Sequence, residues 1–308
     1  MSMPFYMSPE QVMRDKSEYA RSRIARGRSC VALQYTGGIL MVAPNPSRAL
    51  HKISELYDRI AFAAGGRYNE YEALRKAGIT YADVTGYQFD RRDVTARALA
   101  NWYAQTLGTI YTESPKPYEV ELVVAEVGET PADDQIYRIT FDGSVSDEPG
   151  FVAFGGQADQ VATALKERFS DGMSLAEALK AALDALTPPA PSGTGAPAAA
   201  AAAAAANGEL TASSLEVAIL DRARAHRTFR RLRGARLEEL IAEVRGGAAT
   251  TADNADAADD APATDTAEEA AAEAAGEGAD ASPPPSADHD EDPPTGPAPG
   301  GSDGSPRL

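Results

Sequence analysis

SPEQVMRDKSEYARSRIARG, residues 8–27, carries the start and stop signals of a single helix and fixes how the rest of the chain must be entered. Ser8 is a good N-cap, because its hydroxyl can accept from a free backbone N–H of the first turn. Pro9 falls at the first helical position, Gln11 where a capping box places its partner, and Gly27 where a left-handed residue closes the last turn. Val12, Met13, Tyr19, Ala20 and Ile24 recur at roughly helical spacing, with Arg14, Lys16, Arg21, Arg23 and Arg26 filling much of the remainder. Read alone, the stretch is an amphipathic surface helix packed on its own domain.

The chain then turns to strands. Residues 30–35 and 39–43 are apolar runs joined by Thr36-Gly37-Gly38, a hairpin whose continuous apolarity places both faces in a core. Residues 52–66 predict a second strand pair. Two helices should follow, one over 68–77 ending at Gly78, the other announced by Asp90-Arg91-Arg92-Asp93 and carrying Val94, Leu99, Trp102, Tyr103 and Leu107 inward before Gly108. Strands over 118–127, 136–141 and 151–154 come next, then helices over 158–169 and 174–186, with Ser174 and Glu177 forming a capping box. A strand over 215–220 and a helix over 237–244 close the order. This succession predicts an α+β fold, a four-layer αββα sandwich of mostly antiparallel sheets between helical layers.

Of the formal charge of -17, residues 248–308 account for -14, from 15 acidic residues against Arg307, which leaves -3 for the body. Such a body is neither a basic nucleic-acid surface nor tuned to basic partners. The 248–308 tail lacks the large apolar residues that would offset its ordering entropy and reads as disordered. Residues 1–7 read as a mobile N-terminal segment, 8–247 as the folded domain, and 187–211 as an Ala/Pro-rich loop insertion with nine consecutive alanines. A single cysteine, Cys30, excludes an intrachain disulfide. With no signal-peptide h-region and no membrane-spanning run, the reading is a cytoplasmic protein.

The chemistry is sparse. His51, His226 and His289 are scattered without ligand spacing, so no metal is expected, and the pairs Gly37-Gly38, Gly65-Gly66 and Gly155-Gly156 lack a phosphate-cradle pattern, so no cofactor is expected either. Arg222, Arg224, Arg227, Arg230, Arg231, Arg233 and Arg236 have only Phe229 interleaved, which favours pairing with neighbouring acids over nucleic acid.

One resemblance goes further. Ser8-Pro9, Glu18-Tyr19-Ala20-Arg21, Gly27 opening a strand, and His51-Lys52-Ile53 resemble the signature of proteasome α-type subunits. Tyr111-Thr112-Glu113, Pro117-Tyr118-Glu119-Val120, residues 137–143 and the Gly155-Gly156 helix start follow in the same order, over about residues 5–245, and the likeness is nearest to the actinobacterial form. A Tyr-Asp-Arg motif before the first helix is missing, and Tyr57-Asp58-Arg59 lies in a different place.

The resemblance implies an Ntn-hydrolase-like αββα fold with the opening helix as an extra N-terminal α-type element. It further implies seven-membered α rings stacked outside β rings, so that the partners are β subunits, neighbouring α subunits, a ring-shaped ATPase unfoldase docking by its C-terminal tails, and unfolded protein substrates. In actinobacteria that ATPase delivers proteins tagged with a small ubiquitin-like modifier. Pro4, Phe5, Tyr6, Met7, Ser8 and Pro9 match the gate and its turn, and Glu18, Lys52, Gly66 and Arg67 match the activator-docking pocket, with Arg67 standing where the family often has an apolar residue. Catalysis in the family belongs to an N-terminal threonine of the β-type subunits. This chain offers Arg28-Ser29-Cys30 there, which reads as a non-catalytic subunit; the alternative is an autoprocessed peptidase using Ser29 or Cys30.

Overall fold

The structure, a computed structural model, describes residues 8–187 and 210–246. The expectations for 1–7, for most of the insertion and for the acidic tail lie outside them.

Helix α1 (Pro9–Ile24) starts as its sequence dictates, with Ser8 Oγ accepting from the Gln11 N–H at 3.2 Å. The capping box stays incomplete, because the Gln11 side chain donates instead to Asp15 Oδ1 at 3.1 Å. Its far end closes through Ala25 N–H to Arg21 C=O and Gly27 N–H to Ile24 C=O, both at 2.9 Å. Gly27 is not left-handed. Gly156 lies against this segment, close enough that a Cβ there would stand 2.8 Å from the Gly27 carbonyl oxygen.

Two five-stranded antiparallel sheets follow. The first has the order β10-β9-β2-β1-β8, from β1 (Cys30–Tyr35), β2 (Gly38–Pro44), β8 (Phe151–Phe154), β9 (Leu215–Asp221) and β10 (Phe229–Leu232). The second has the order β3-β4-β5-β6-β7, from β3 (Ile53–Tyr57), β4 (Ile60–Gly66), β5 (Val120–Glu126), β6 (Gln135–Ile139) and β7 (Val145–Asp147). Alternation along β1 sends Val31 and Leu33 under one helical layer and Cys30 and Ala32 between the sheets. Along β5, Leu122 and Val124 enter the other helical core while Val123 and Ala125 face the first sheet. Three stacked cores result, the arrangement of a four-layer αββα sandwich.

Helix α2 (Tyr68–Gln88) runs through Gly78, contrary to the predicted stop. The glycine is there for packing: a Cβ at 78 would stand 1.8 Å from the Tyr103 hydroxyl, which donates to the Leu74 carbonyl at 3.2 Å. Asp90 and Asp93 form a capping box around one 3₁₀ turn, Arg91–Asp93, and do not begin the next helix. Helix α3 (Ala96–Glu113) starts after Thr95, which accepts from Ala98 N–H at 3.2 Å, and passes Gly108. On the opposite face lie α4 (Ala158–Arg168), α5 (Leu175–Leu186) with the predicted Ser174–Glu177 box, and α6 (Gly234–Gly246).

The arginine-rich segment is a strand and its flanks. Arg222 pairs with the fully buried Asp134 at 2.8 Å, Arg231 with Glu216 at 2.5 Å, Arg230 with Asp221 at 3.2 Å, and Arg227 with Glu55 at 3.5 Å. Two of these pairs, with Asp221 and Glu216, lie within the first sheet, while Arg222, Arg227 and the bond from Arg231 to the Ile53 carbonyl reach across to the second.

Candidate functional site

Gly66 closes β4 at φ +110°, and a Cβ there would fall 1.9 Å from the Glu119 carbonyl oxygen. Only glycine fits so close a backbone approach. The next residue fixes the crossing, with Arg67 N–H donating to that same carbonyl at 2.9 Å. Beneath it the buried Glu70 carboxylate accepts from Glu119 N–H at 2.6 Å and from Lys116 Nζ at 2.7 Å. Lys116 also stands 3.0 Å from Glu119 Oε1, and Arg67 Nη1 reaches within 3.8 Å of Glu70 and 3.9 Å of Glu119. Burial pushes the Glu119 carboxyl up, but hydrogen bonds from Lys116 and Tyr19 and the Arg67 charge outweigh it and hold the group below its ordinary range. Burial likewise works against the Lys116 ammonium, and Glu70 and Glu119 together raise it.

Helix α1 is fastened to this network. Tyr19 Oη donates to Glu119 Oε1 at 3.0 Å. Lys16 Nζ donates to the carbonyls of Tyr111 at 3.0 Å and Ser114 at 2.8 Å, so a cation sits on the negative end of α3 and satisfies carbonyls the helix leaves open. Tyr111 Oη returns a hydrogen bond to the Met13 carbonyl at 2.8 Å, and Ala20 and Ile24 pack on Phe141.

Lys52 stands across the β3–β4 hairpin at the same end. Its carbonyl accepts from Ala64 N–H at 3.0 Å and its own N–H donates to Glu216 Oε2 at 2.8 Å. The half-buried side chain places Nζ 3.4 Å from the Arg28 carbonyl oxygen and 3.9 Å from Cys30 Sγ. The fold therefore brings Lys52, Gly66 and Arg67 to one sheet end. Glu18, next to Tyr19 on α1, is exposed, with no hydrogen bond or ion pair among the described residues. Ser8 and Pro9 form the helix start, while Pro4, Phe5, Tyr6 and Met7 fall outside the described residues.

Sequence reasoning missed Lys16, Glu70 and Lys116. Their signals are weak: Glu70 is a helix-opening acid, and the two lysines read as surface residues.

At the start of β1, Ser29 is buried and its Oγ accepts from Gln157 N–H at 2.8 Å, anchoring the entry to α4. Cys30 is 1% exposed, and burial pushes its thiol up against the opposing charge of Lys52. Neither side chain is an available nucleophile, and the chain before them continues into α1. Tyr57-Asp58-Arg59 forms the β3–β4 turn, where Asp58 accepts from Arg227 N–H at 2.6 Å and Arg59 donates to the Val127 and Gly128 carbonyls at 2.8 and 2.6 Å. Among the described residues no His, Cys, Asp or Glu cluster could hold a metal, and no helix is long and apolar enough to cross a membrane.

A two-sheet sandwich whose first strand is preceded by a helix fastened to the end of α3 and to Glu119 before β5 is built as the non-catalytic kind of subunit in its fold class. Comparison with known proteins gives that class its family. Residues 24–188 match the family model described as proteasome subunit. A proteasome subunit alpha of Streptosporangium roseum is 63% identical over 266 residues, covering 86% of this chain and 95% of the relative. Those of Thermomonospora curvata and Frankia alni are 63% and 62% identical over 243 and 247 residues, each covering 79% of this chain and 99% and 98% of the relative. The chain belongs to the proteasome family, among its α-type subunits.

Proposed function

We propose that this chain forms the outer α ring of a cytoplasmic proteasome core particle. In this reading it takes no part in peptide-bond cleavage, which belongs to the threonine of the β subunits inside the barrel. The observation that carries the reading is the fastening of α1: Lys16 on the end of α3, Tyr19 on Glu119 and Tyr111 on Met13 hold in place the segment that would have to leave to free a nucleophile at β1. A helix so held carries the Ser8-Pro9 turn at one end, from which Pro4, Phe5, Tyr6 and Met7 extend as a gate over the substrate path.

The docking pocket for an ATPase unfoldase is Lys52, Gly66 and Arg67 on one subunit, with the unpaired Glu18 facing the neighbouring one. The Lys52 ammonium and the Arg67 guanidinium supply positive charge for the carboxylate of an incoming C-terminal tail, and the bare Gly66 backbone leaves room beside them. The substrates are unfolded proteins delivered by that ATPase, which bear a small ubiquitin-like modifier. The test is Lys52→Ala in particles assembled with the β partner. Assembly and peptide hydrolysis should match the unaltered particle, while ATPase-dependent degradation falls at least about tenfold, the loss of one charged hot spot. Unchanged ATPase docking would remove Lys52 from the pocket.

A further inference from the structure

The charge at the candidate docking pocket depends on a side chain outside it. Among the described residues, Lys52 Nζ meets only long contacts, the Arg28 carbonyl oxygen at 3.4 Å and Cys30 Sγ at 3.9 Å. A lysine is a point charge on a flexible four-carbon stem, so where the ammonium stands follows from the backbone that carries it. That backbone is the end of a crossover. Residues 45–52 carry the chain from β2 in the first sheet to β3 in the second, and no helix or strand forms along them. Pro46, Arg48, Ala49 and Leu50 are exposed, so the stretch has little burial of its own to hold it.

One carboxylate on β9 supplies the hold. Glu216 is only 8% exposed, and its Oε2 accepts from Asn45 Nδ2 and from Lys52 N–H, both at 2.8 Å. Its Oε1 accepts from Ile53 N–H at 3.2 Å and from Arg231 Nη1 at 2.5 Å, and His51 Nδ1 stands 3.3 Å away. Both ends of the crossover are thus tied to a single side chain. Asn45 extends the tie, donating also to the Leu50 carbonyl at 2.7 Å and accepting from Ser47 N–H at 3.1 Å. Burial pushes the Glu216 carboxyl up, but the hydrogen bonds from Lys52 and Asn45 and the Arg231 charge outweigh it and hold the group below its ordinary range. An amide in its place would set an N–H₂ donor against donors it cannot accept from.

We propose that Glu216 is the positioning residue of the docking lysine: without touching the incoming tail, it fixes the Lys52 main chain so that the ammonium stands where the tail's carboxylate arrives. The proposal rests on the pocket reading above. Glu216 takes the Lys52 N–H, and Ala64 N–H takes the carbonyl of the same residue at 3.0 Å. With both main-chain groups fixed, the ammonium searches only the rotamers of its stem. A loosened crossover would add backbone freedom to that search, and docking would have to remove it at a cost in affinity.

The test titrates the particle's ATPase unfoldase against assembled particles carrying Glu216→Gln, Lys52→Ala or both, and reads the half-activating ATPase concentration separately from the maximal rate of degradation. Glu216→Gln should assemble with the β partner and hydrolyse short peptides as the unaltered particle does. Its half-activating concentration should rise at least about fivefold, with the maximal rate recovered at saturation. In the Lys52→Ala background the same substitution should add less than about twofold, since a residue that acts through Lys52 has nothing left to position. If Glu216→Gln does not assemble, Asn45→Ala replaces it, because it cuts the tie where the crossover begins and leaves the Glu216–Arg231 pair whole; a rise of at least about twofold is then expected. An unchanged half-activating concentration in the variant that assembles overturns the proposal, as does an equal rise with and without Lys52, which marks a general loss of structure. Failure of both variants to assemble overturns it too, by making the cluster a folding determinant. If Lys52→Ala itself leaves docking unchanged, the pocket reading fails and the proposal with it; if Lys52→Ala weakens docking and Glu216→Gln does not, the proposal fails alone.

Discussion

The two ends of the β3–β4 hairpin are built from different materials. At the Gly66 end, Arg67, Glu70, Lys116, Glu119 and Tyr19 form a connected polar network, and α1 is laid over it. At the Asp58 end, α2 stops on exposed Tyr87 and Phe89 beside an acidic cleft. The contrast is one of partner chemistry. Charged groups around a bare glycine backbone suit a contact that forms and releases, because charge pairs set on-rate and register and are screened when wet. Rigid aromatics suit a contact that stays, because burial of large apolar area dominates permanent interfaces.

If that contrast is right, the ends respond differently to substitution and to pH. Gly66→Ala should have the largest effect, since it puts a Cβ at φ +110° and 1.9 Å from the Glu119 carbonyl oxygen. We expect a loss of about 3 kcal/mol or more from strain and clash. In a domain of this size that lowers the thermal midpoint by roughly 6–12 °C. A melt within 2 °C of the unaltered chain would show that the close approach does not constrain the fold.

A smaller effect comes from the Glu119 network. Its carboxyl lies below the ordinary value of 4.5, so the stability it contributes is present above pH 4.5 and is lost as pH falls through the lowered value. Lys116 lies above its ordinary 10.5, so its contribution is present below pH 10.5 and is lost as pH rises through the raised value. Hydrogen exchange of the α1 amides should therefore be slow and level between about pH 5 and 10, once corrected for intrinsic rates, and accelerate below pH 4.5. The chain should show no such acceleration in Tyr19→Phe, where the helix has already lost its hold on Glu119. Equal acid sensitivity in both would detach the network from α1.

How far these features could be read beforehand depends on whether their causes are local. Ser8 and Ser174 work as caps because capping involves neighbours in sequence, and the β1–β2 hairpin stands where its apolar runs put it. Gly78 and Gly27 misled for the opposite reason. The first is demanded by Tyr103, from another helix, so its glycine character reports tertiary contact and not a helix stop; the second does lie just past the end of α1 but closes it without the left-handed turn expected of it. Strand β10 was hidden because its arginines read as a basic cluster pairing with neighbouring acids, and the acids that neutralise them, Glu216 and Asp221, lie in the adjacent strand. The αββα order survived these errors because it rests on the long apolar runs. At the candidate site, Lys52, Gly66 and Arg67 entered through family resemblance alone, since no local pattern separates them from ordinary surface residues. The network beneath them, Glu70 and Lys116 above all, takes its meaning from a β4–β5 crossing that no short stretch encodes.

The account stands on the direction in which this subunit faces. Electron microscopy of the chain assembled with its β partner, at a resolution that traces helices, reads that direction. The predicted map has four stacked rings with this chain outermost and uncut, and with α1 and Gly66 toward solvent. A map with this chain in an inner ring, with α1 missing through cleavage after Arg28 or Ser29, or with Gly66 facing the inner ring would contradict it.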